Sequence, residues 1–88
     1  MTMLPNFEDR KIYFKDGRTD YIGWYHIVNP EAIMFRNFCG RYNFSYKNGT
    51  FYERVSVRDI YGDIQTDAFP APNIDYIVID GVTYRNAI

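Results

Sequence analysis

Cysteine and histidine occur once each among these 88 residues, so most nucleophilic and metal chemistry has too few residues to support it. Cys39 has no second cysteine with which to form an intrachain disulfide or a multi-cysteine zinc site. His26 would have to act alone as a general base or a ligand, and a neutral imidazole with one hydrogen bond is its ordinary state in a strand. We therefore expect neither residue to carry chemistry.

The motifs of common catalytic and nucleotide-binding sites are also missing. The chain contains no glycine-rich phosphate loop, no Walker motif and no dinucleotide-binding fingerprint. Ser45 and Ser56 lie in regular strand patterns rather than in a Gly-x-Ser-x-Gly elbow. Asp59, Asp63 and Asp67 recur at every fourth position, but this spacing fits no calcium-binding loop, and we expect solvated loop acids. The sequence predicts a non-enzymatic protein with no cofactor and no metal.

Neither sign of charge dominates the chain. The formal net charge is −1, which argues against a globally basic nucleic-acid-binding protein and against an acidic mimic of DNA. No apolar run approaches the roughly 18 residues of a membrane-spanning helix, and the beginning of the chain lacks the basic stretch and apolar run of a signal peptide. These features predict a soluble, intracellular, cytoplasmic protein, located in the host cytoplasm if a virus encodes it.

Aromatic residues, by contrast, are abundant. Hydrophobic residues make up 47% of the chain and aromatic residues 19%, a content too high for a disordered protein. Residues 1–88 are long enough for a single small domain, whose core would be near the lower size limit for independent folding. Because so small a core leaves aromatic surface uncovered, a homodimer is a further expectation.

Three glycine-containing turn pairs divide the chain, and each predicts a β-hairpin. They are Asp16-Gly17, Asn48-Gly49 and Asp80-Gly81, and aromatic and β-branched residues flank all three. Such pairs tolerate the positive φ angles of tight turns. For the third hairpin, the predicted opposing pairs are Ile77–Tyr84 and Ile79–Val82.

The first hairpin has two alternative loops. A two-residue turn would place Lys15 opposite Arg18, a like-charge pair, so a three-residue loop with Gly17 in a bulge is preferred. Gly23 lies inside the second strand of this hairpin. A glycine at such a position predicts a bulge or a close approach of another backbone segment.

The second hairpin has the best-defined register, because sequence alternation and turn geometry agree. Its predicted pairs are Tyr46–Phe51, Phe44–Glu53 and Tyr42–Val55 on one face, and Ser45–Tyr52, Asn43–Arg54 and Arg41–Ser56 on the other. The first face belongs to the core. The second face is predicted to be a polar surface rich in arginine, formed by Arg41, Asn43, Ser45, Tyr52, Arg54, Ser56 and Arg58.

Between these two hairpins, residues 30–39 predict a short α-helix. Asn29 is a suitable N-cap, Pro30 is a favoured first helical residue, and Gly40 is a natural left-handed C-cap. Apolar residues within the segment recur three and four positions apart, as they would on one helix face. Cys39, at the C-terminal end of this helix, is expected to be a buried structural thiol.

Residues 61–73 contain two closely spaced prolines and no clear periodicity, so they predict a long loop of a kind that is often functional. The elements together predict an α+β fold. Its mainly antiparallel sheet has about six strands from three β-hairpins, and the short α-helix at residues 30–39 packs on it. Whether the strands form an open sheet or a small barrel stays open, as does the oligomeric state.

The remaining signal is a composition suited to binding. Tyr, Trp and Arg dominate interface hot spots, because they offer large rigid contact area and planar multidentate donors. The leading hypothesis is a non-enzymatic protein-binding module, a small intracellular adaptor or an inhibitor of a larger protein partner, of a kind that viruses encode. An ordinary solvated sheet face is the alternative interpretation. The predicted binding residues are Arg41, Asn43, Tyr52, Arg54, Arg58, Phe69 and Trp24.

Two other functions stay open. Aromatic rings and guanidinium groups between protomers would suit a small anionic ligand such as a nucleotide at an oligomer interface. The Tyr/Arg sheet face would also suit single-stranded nucleic acid, although the net charge makes nucleic acid a less favoured partner. No membrane partner is expected.

Overall fold

The structure, a computed structural model, describes residues 9–88. The start of the chain, for which the sequence predicts no signal peptide, lies outside the described residues. Residues 9–88 form eight β-strands in one antiparallel sheet and include no α-helix. In chain order the strands are β1 (Arg10–Phe14), β2 (Thr19–Asn29), β3 (Ala32–Asn37), β4 (Asn43–Lys47), β5 (Thr50–Arg58), β6 (Ile64–Pro70), β7 (Ile74–Ile79) and β8 (Val82–Arg85).

The predicted α+β class is therefore wrong, and so is the predicted count of about six strands. The helix expected at residues 30–39 is replaced by a turn and by β3. The Asn29 side chain accepts a hydrogen bond from the Glu31 backbone N–H at 2.8 Å, and this bond closes a turn instead of capping a helix. An Asn-Pro pair followed by an acidic residue is a turn signal as much as a helix start, because the same side-chain bond serves both structures.

Alternation within β3 shows why a strand forms there. Ile33 and Phe35 are buried, each with 1% of its surface exposed, while Met34 and Arg36, which alternate with them, lie on the opposite face. This period of two is the pattern of a strand with one covered face. Neighbouring strands on both sides, β2 and β4, supply the backbone partners that an isolated ten-residue segment lacks.

The long loop predicted at residues 61–73 is also wrong in its main part, because β6 occupies most of it. The β5–β6 hairpin turns through a three-residue loop that ends at Gly62, with φ at 83°. One carboxylate oxygen of Asp59 accepts the backbone N–H groups of Tyr61 and Asp63, at 2.9 and 3.0 Å. Asp59 therefore organises this loop, whereas the sequence predicts an ordinary solvated loop acid.

The predicted features of the first hairpin are confirmed. Its loop has three residues, because the Phe14 N–H donates to the Arg18 carbonyl at 2.9 Å and Gly17 has a φ of 91°. Gly23 coincides with an irregularity in the β2–β3 pairing. A Cβ atom at Gly23 would lie 2.8 Å from the backbone oxygen of Phe38, so the close approach predicted for this glycine is also present.

The other two predicted hairpins turn through two residues each. Asn48 and Gly49 have φ angles of 50° and 89°, and Asp80 and Gly81 have 50° and 82°. Positive φ at both central positions defines the type I′ turn that suits twisted strands. The central pairs of the predicted registers are confirmed, whereas the outermost pairs of the second hairpin, Tyr42–Val55 and Arg41–Ser56, are not part of the β4–β5 ladder.

The strand order is β6-β5-β4-β3-β2-β1-β7-β8, so the first six strands form a meander and β7 crosses over to pair with β1. The sheet curls into a half-barrel, which settles the question of sheet shape. We call the face that holds the core the inner face and the opposite one the outer face. The core consists of Ile12, Ile22, Ile33, Phe35, Phe44, Phe51, Ile74, Ile77 and Ile79.

Asn86 connects parts of the half-barrel that are distant in sequence. Its side-chain Nδ2 donates to the carbonyl oxygens of Ala71 and Ile74, at 3.0 and 2.9 Å. Its Oδ1 accepts the backbone N–H of Phe51 at 3.4 Å. The segment after β8 is therefore tied both to β5 and to the connection between β6 and β7.

Candidate binding face

The register of β2–β6 aligns outer-face residues into rows across five strands. One row runs in order through Trp24, Arg36, Asn43, Arg54 and Ala68. Residues directly opposite each other in antiparallel strands share a face, and adjacent strands are about 4.8 Å apart. The row therefore extends for about 19 Å across the sheet.

A second row lies beside the first. It runs through His26, Met34, Ser45, Tyr52 and Pro70. Farther along β5, Arg58 points to the same face and lies opposite Ile64. We call the surface formed by Trp24, Met34, Arg36, Asn43, Tyr52, Arg54 and Arg58 the outer patch.

Five of the seven predicted binding residues belong to the outer patch, namely Trp24, Asn43, Tyr52, Arg54 and Arg58. The other two do not. Arg41 lies in the connection between β3 and β4, and Phe69 lies opposite Glu53 on the inner face.

Arg36 is the residue of the outer patch that sequence reasoning missed. Its segment was assigned to a helix, in which Arg36 would have no defined relation to Arg54. The alternation of the apolar Ile33 and Phe35 with Arg36 was the available sequence signal that Arg36 faces away from the core, and in the structure both apolar residues are buried. Its guanidinium carbon lies 4.8 Å from the ring centroid of Trp24, a cation–π arrangement.

Charge is segregated between the two faces of β2–β6. The carboxylates in these strands are Asp20, Glu53 and Asp67, and the register places all three on the inner face. The cations Arg36, Lys47, Arg54 and Arg58 lie on the outer face. Within residues 9–88, Arg54 and Arg58 form no salt bridge or side-chain hydrogen bond. Their donors are available to an external acceptor.

An open depression of about 390 Å³ lies on the outer face; Lys47 lines it, and Ala68 of its lining lies directly opposite Arg54. Small side chains, Ser45 and Ala68, form part of its lining, and the larger Val28, Met34 and Tyr52 surround them. The depression is mainly apolar. A hydrophobic side chain of a partner would fit there while neighbouring acidic groups contacted Arg54.

A second cavity, of about 450 Å³, opens on the inner side of the sheet. Its lining includes Arg18, Asp20, Asn37 and Glu53. Arg18 already contacts Asp16 at 2.6 Å, and the side chain of Asn37 is hydrogen-bonded to the Tyr42 backbone N–H at 2.9 Å. Two carboxylates beside one occupied arginine do not favour an anionic ligand.

The single histidine and cysteine have ordinary surroundings. His26 is exposed on the outer face opposite Met34. Cys39 is exposed in the turn after β3, so the expectation of a buried thiol is wrong; the helix whose end was to cover it does not exist. Among residues 9–88, no three histidine, cysteine or acidic side chains come together as a metal site requires.

Burial and hydrogen bonding shift the pKa of one tyrosine and of one exposed aspartate. Burial raises the pKa of the Tyr25 phenol, and a 3.1 Å hydrogen bond from its hydroxyl to the Asp80 carboxylate adds to the effect. The Arg18 backbone N–H, which Asp16 accepts at 2.9 Å, lowers the pKa of Asp16. Neither group belongs to the outer patch, so the patch is not built around an acid–base pair.

Comparisons with known proteins identify no relative: no protein-family model, curated protein or solved structure matches the chain. In the part of the chain that the structure describes, no helix is both long enough and apolar enough to cross a membrane.

Proposed function

We propose that this chain is a non-enzymatic protein-binding module and that the outer patch contacts an acidic surface of a larger partner. The observation that supports this function is the cross-strand row of Trp24, Arg36, Asn43 and Arg54 on the outer face, where strands β2–β6 place no carboxylate. Arginine and tryptophan are enriched among residues that dominate binding energy at interfaces. An unpaired guanidinium also offers two parallel donors to a carboxylate.

The apolar depression favours a protein over other anionic partners. Interfaces combine a desolvated apolar centre with a polar rim, and here Met34 and Tyr52 lie beside Arg54. A small adaptor or an inhibitor that covers part of a larger protein would use such a surface. An inhibitor encoded by a virus is one form that this function takes.

Affinity capture with matched variants tests the proposal. The immobilised chain, its Arg54→Ala variant and its Trp24→Ala variant are compared by quantitative mass spectrometry of the proteins that they retain from nuclease-treated lysate. Arg18→Ala is the control, since Arg18 is an exposed arginine in the first hairpin, away from the patch. We expect one set of proteins to be retained by the wild type and by Arg18→Ala and lost from both patch variants. An identical set in all four samples would contradict the proposal.

Single-stranded nucleic acid is the second candidate, favoured by the presence of Trp24, Arg36 and Arg54 together on a face free of carboxylates in β2–β6. Base stacking needs an open ring face, and Arg36 already covers one face of Trp24, which weakens this candidate. Fluorescence anisotropy with oligo(dT) and oligo(rU) at several salt concentrations distinguishes the two. Nucleic-acid binding would weaken steeply with added salt and with Arg54→Ala.

A further inference from the structure

β6 is an edge strand, paired with β5 on one side and with no other strand of residues 9–88 on the opposite side. All of its residues are exposed. Two hydrogen bonds fix the phase of the β5–β6 ladder: the Asp59 N–H donates to the Asp63 carbonyl, and the Ala71 N–H donates to the Phe51 carbonyl, both at 2.9 Å. Because antiparallel pairs alternate, the odd-numbered residues of β6 direct their backbone groups to β5 and the even-numbered residues direct theirs outward.

The open edge therefore presents a regular series of backbone donors and acceptors. The outward N–H groups belong to Ile64, Thr66 and Ala68, and Pro70 adds a carbonyl at the end of the series. Proteins commonly block such edges with lysine, proline, inward-pointing charges or a bulge. β6 contains no lysine, its proline is the last residue of the strand, its one charged residue is Asp67, and its pairing with β5 is regular over the whole strand. This edge is ready to accept another strand.

Exposed apolar side chains cluster along the same segment. Ile60 is 91% exposed, Tyr61 83%, Ile64 66% and Phe69 49%. The first two lie on the loop that Asp59 organises, so they are held outward by a defined structure. Large apolar groups concentrated at one end of a sheet are typical of an interaction surface.

We propose that two copies of this chain pair antiparallel along their β6 edges, about a two-fold axis through Thr66. The Thr66 residues of the two copies then lie opposite each other and exchange two backbone hydrogen bonds. Ile64 of each copy lies opposite Ala68 of the other, which adds four more bonds by symmetry. The Ile60–Gly62 loop comes next to Pro70 of the second copy, so that the exposed apolar groups cover one another.

The acidic residues select this register. With the axis at Thr66, Asp67 lies opposite the neutral Gln65 of the second copy. Moving the axis to residue 67 would place the two Asp67 carboxylates directly opposite each other. Moving it to Gln65 would place Asp67 opposite Asp63. Like charges in directly opposed positions destabilise a strand pair, so of the three registers centred on residues 65, 66 and 67 only the one centred on Thr66 avoids them.

Such a dimer would place both outer patches on the same side of one continuous sheet, because opposed residues share a face. Two patches would bind a repetitive partner with greater avidity than one. Dimer formation does not depend on the proposed function, and it is measured without a partner.

The decisive experiment compares molar masses by light scattering for the wild type, Thr66→Pro and Thr83→Pro. Proline at position 66 removes an outward N–H and leaves the β5–β6 bonds intact. Thr83 is the matched position on the other edge strand: Ile79 and Val82 flank the β7–β8 turn, so the Thr83 N–H also points outward. We expect twice the 10.5 kDa chain mass for the wild type and for Thr83→Pro, and the single chain mass for Thr66→Pro. A monomeric wild type, a dimeric Thr66→Pro, or dissociation by Thr83→Pro alone would overturn the proposal.

A cross-link keeps the proposal testable if proline disturbs the fold. In a Cys39→Ser background, Thr66→Cys should form an intermolecular disulfide under mild oxidation, because the facing Cα atoms would be about 5.5 Å apart. Thr83→Cys in the same background should remain a monomer on a non-reducing gel. Absence of the cross-link at position 66, or an equal yield at position 83, would contradict pairing through β6.

Charge substitutions at position 65 then test the register. Gln65→Glu creates two like-charge pairs with Asp67 by symmetry, and we expect the dimer dissociation constant to rise about fivefold. Gln65→Lys creates two opposite-charge pairs and should lower the constant by a similar factor. An equal response to both substitutions would exclude the axis at Thr66.

Discussion

The two faces of β2–β6 are built from alternate residues of the same strands, yet they differ in almost every property. On the inner face, Phe35 lies 5.2 Å from Phe44 and 5.9 Å from Phe51 between ring centroids, within the buried core. On the outer face, Arg36 follows Phe35 directly in β3, and Arg54 lies three residues after Phe51 in β5. Both arginines remain accessible. The comparison teaches that the buried core and the surface to which we assign binding are separated here by a single step along the chain.

Phe51→Ala should have the largest effect, because it removes a fully buried ring from the inner face. We expect the free energy of unfolding, measured by urea denaturation, to fall by about 3–5 kcal/mol. The variant loses the favourable transfer free energy of the ring and leaves a cavity in the core. Tyr52→Ala, one residue later on the outer face, is the control and should cost clearly less. Equal losses in the two variants would contradict the separation of roles between the faces.

Gly23→Ala should have the next largest effect, because it inserts a methyl group where the end of β3 and the turn after it approach β2 closely. The new Cβ would lie 2.8 and 2.9 Å from the backbone oxygens of Phe38 and Asn37. Backbone atoms cannot rotate aside, so we expect a loss of about 2 kcal/mol in thermal or urea unfolding. Gly17→Ala, whose Cβ would meet nothing within 4 Å and which suffers only from its positive φ, should lose less.

Tyr25 supplies a smaller, pH-dependent effect on the inner face. Burial and the hydrogen bond to Asp80 raise its pKa in the folded state above the ordinary value of 10.0. The protonated phenol is therefore favoured by folding, and its contribution is complete below pH 10 and is lost as the pH rises further. When the pH is raised from about 9 to about 11, a range that roughly spans the ionisation of a tyrosine, the melting temperature of Tyr25→Phe should fall less than that of the wild type. Tyr61→Phe, at an exposed tyrosine, should behave like the wild type.

Arg54→Ala should have the smallest effect on stability, although it removes a central residue of the outer patch. The guanidinium has no salt bridge within residues 9–88, so the change in unfolding free energy should stay within about 0.5 kcal/mol. Circular dichroism melts check this expectation. A loss as large as that of Phe51→Ala would show that the outer face supports the fold and would remove the basis for assigning it to recognition.

Local signals in the sequence were sufficient for the hairpins that turn at Gly17, Gly49 and Gly81. At Asn48-Gly49 the turn type also fixes the register, so the shared face of Asn43, Tyr52 and Arg54 followed from local pairing. The helix prediction for residues 30–39 was wrong because the apolar residues there fit a helical spacing and a strand alternation equally well. Only pairing with β2 and β4, which is set by tertiary contacts, decides between the two.

β6 was missed for a related reason. Its hairpin turns at Ile60–Gly62, a three-residue loop without the Asn-Gly or Asp-Gly pair that marks the other turns. The strand lies at an edge and is exposed on both faces, so no alternation of apolar and polar residues marks it. Because neither β3 nor β6 was predicted, part of the candidate site was missed as well. The row through Arg36 and Ala68 requires both strands.

The separation of carboxylates and guanidinium groups across one thin sheet has an electrical consequence that the net charge of −1 conceals. Within β2–β6, three carboxylates on the inner face and four cations on the outer face give this part of the sheet a dipole moment across its thickness. At a distance, an acidic partner would exert little pull on it but would exert a torque that turns the arginine-bearing side forward. Collisions would therefore begin pre-aligned, and dilute buffer would preserve that alignment better than concentrated salt.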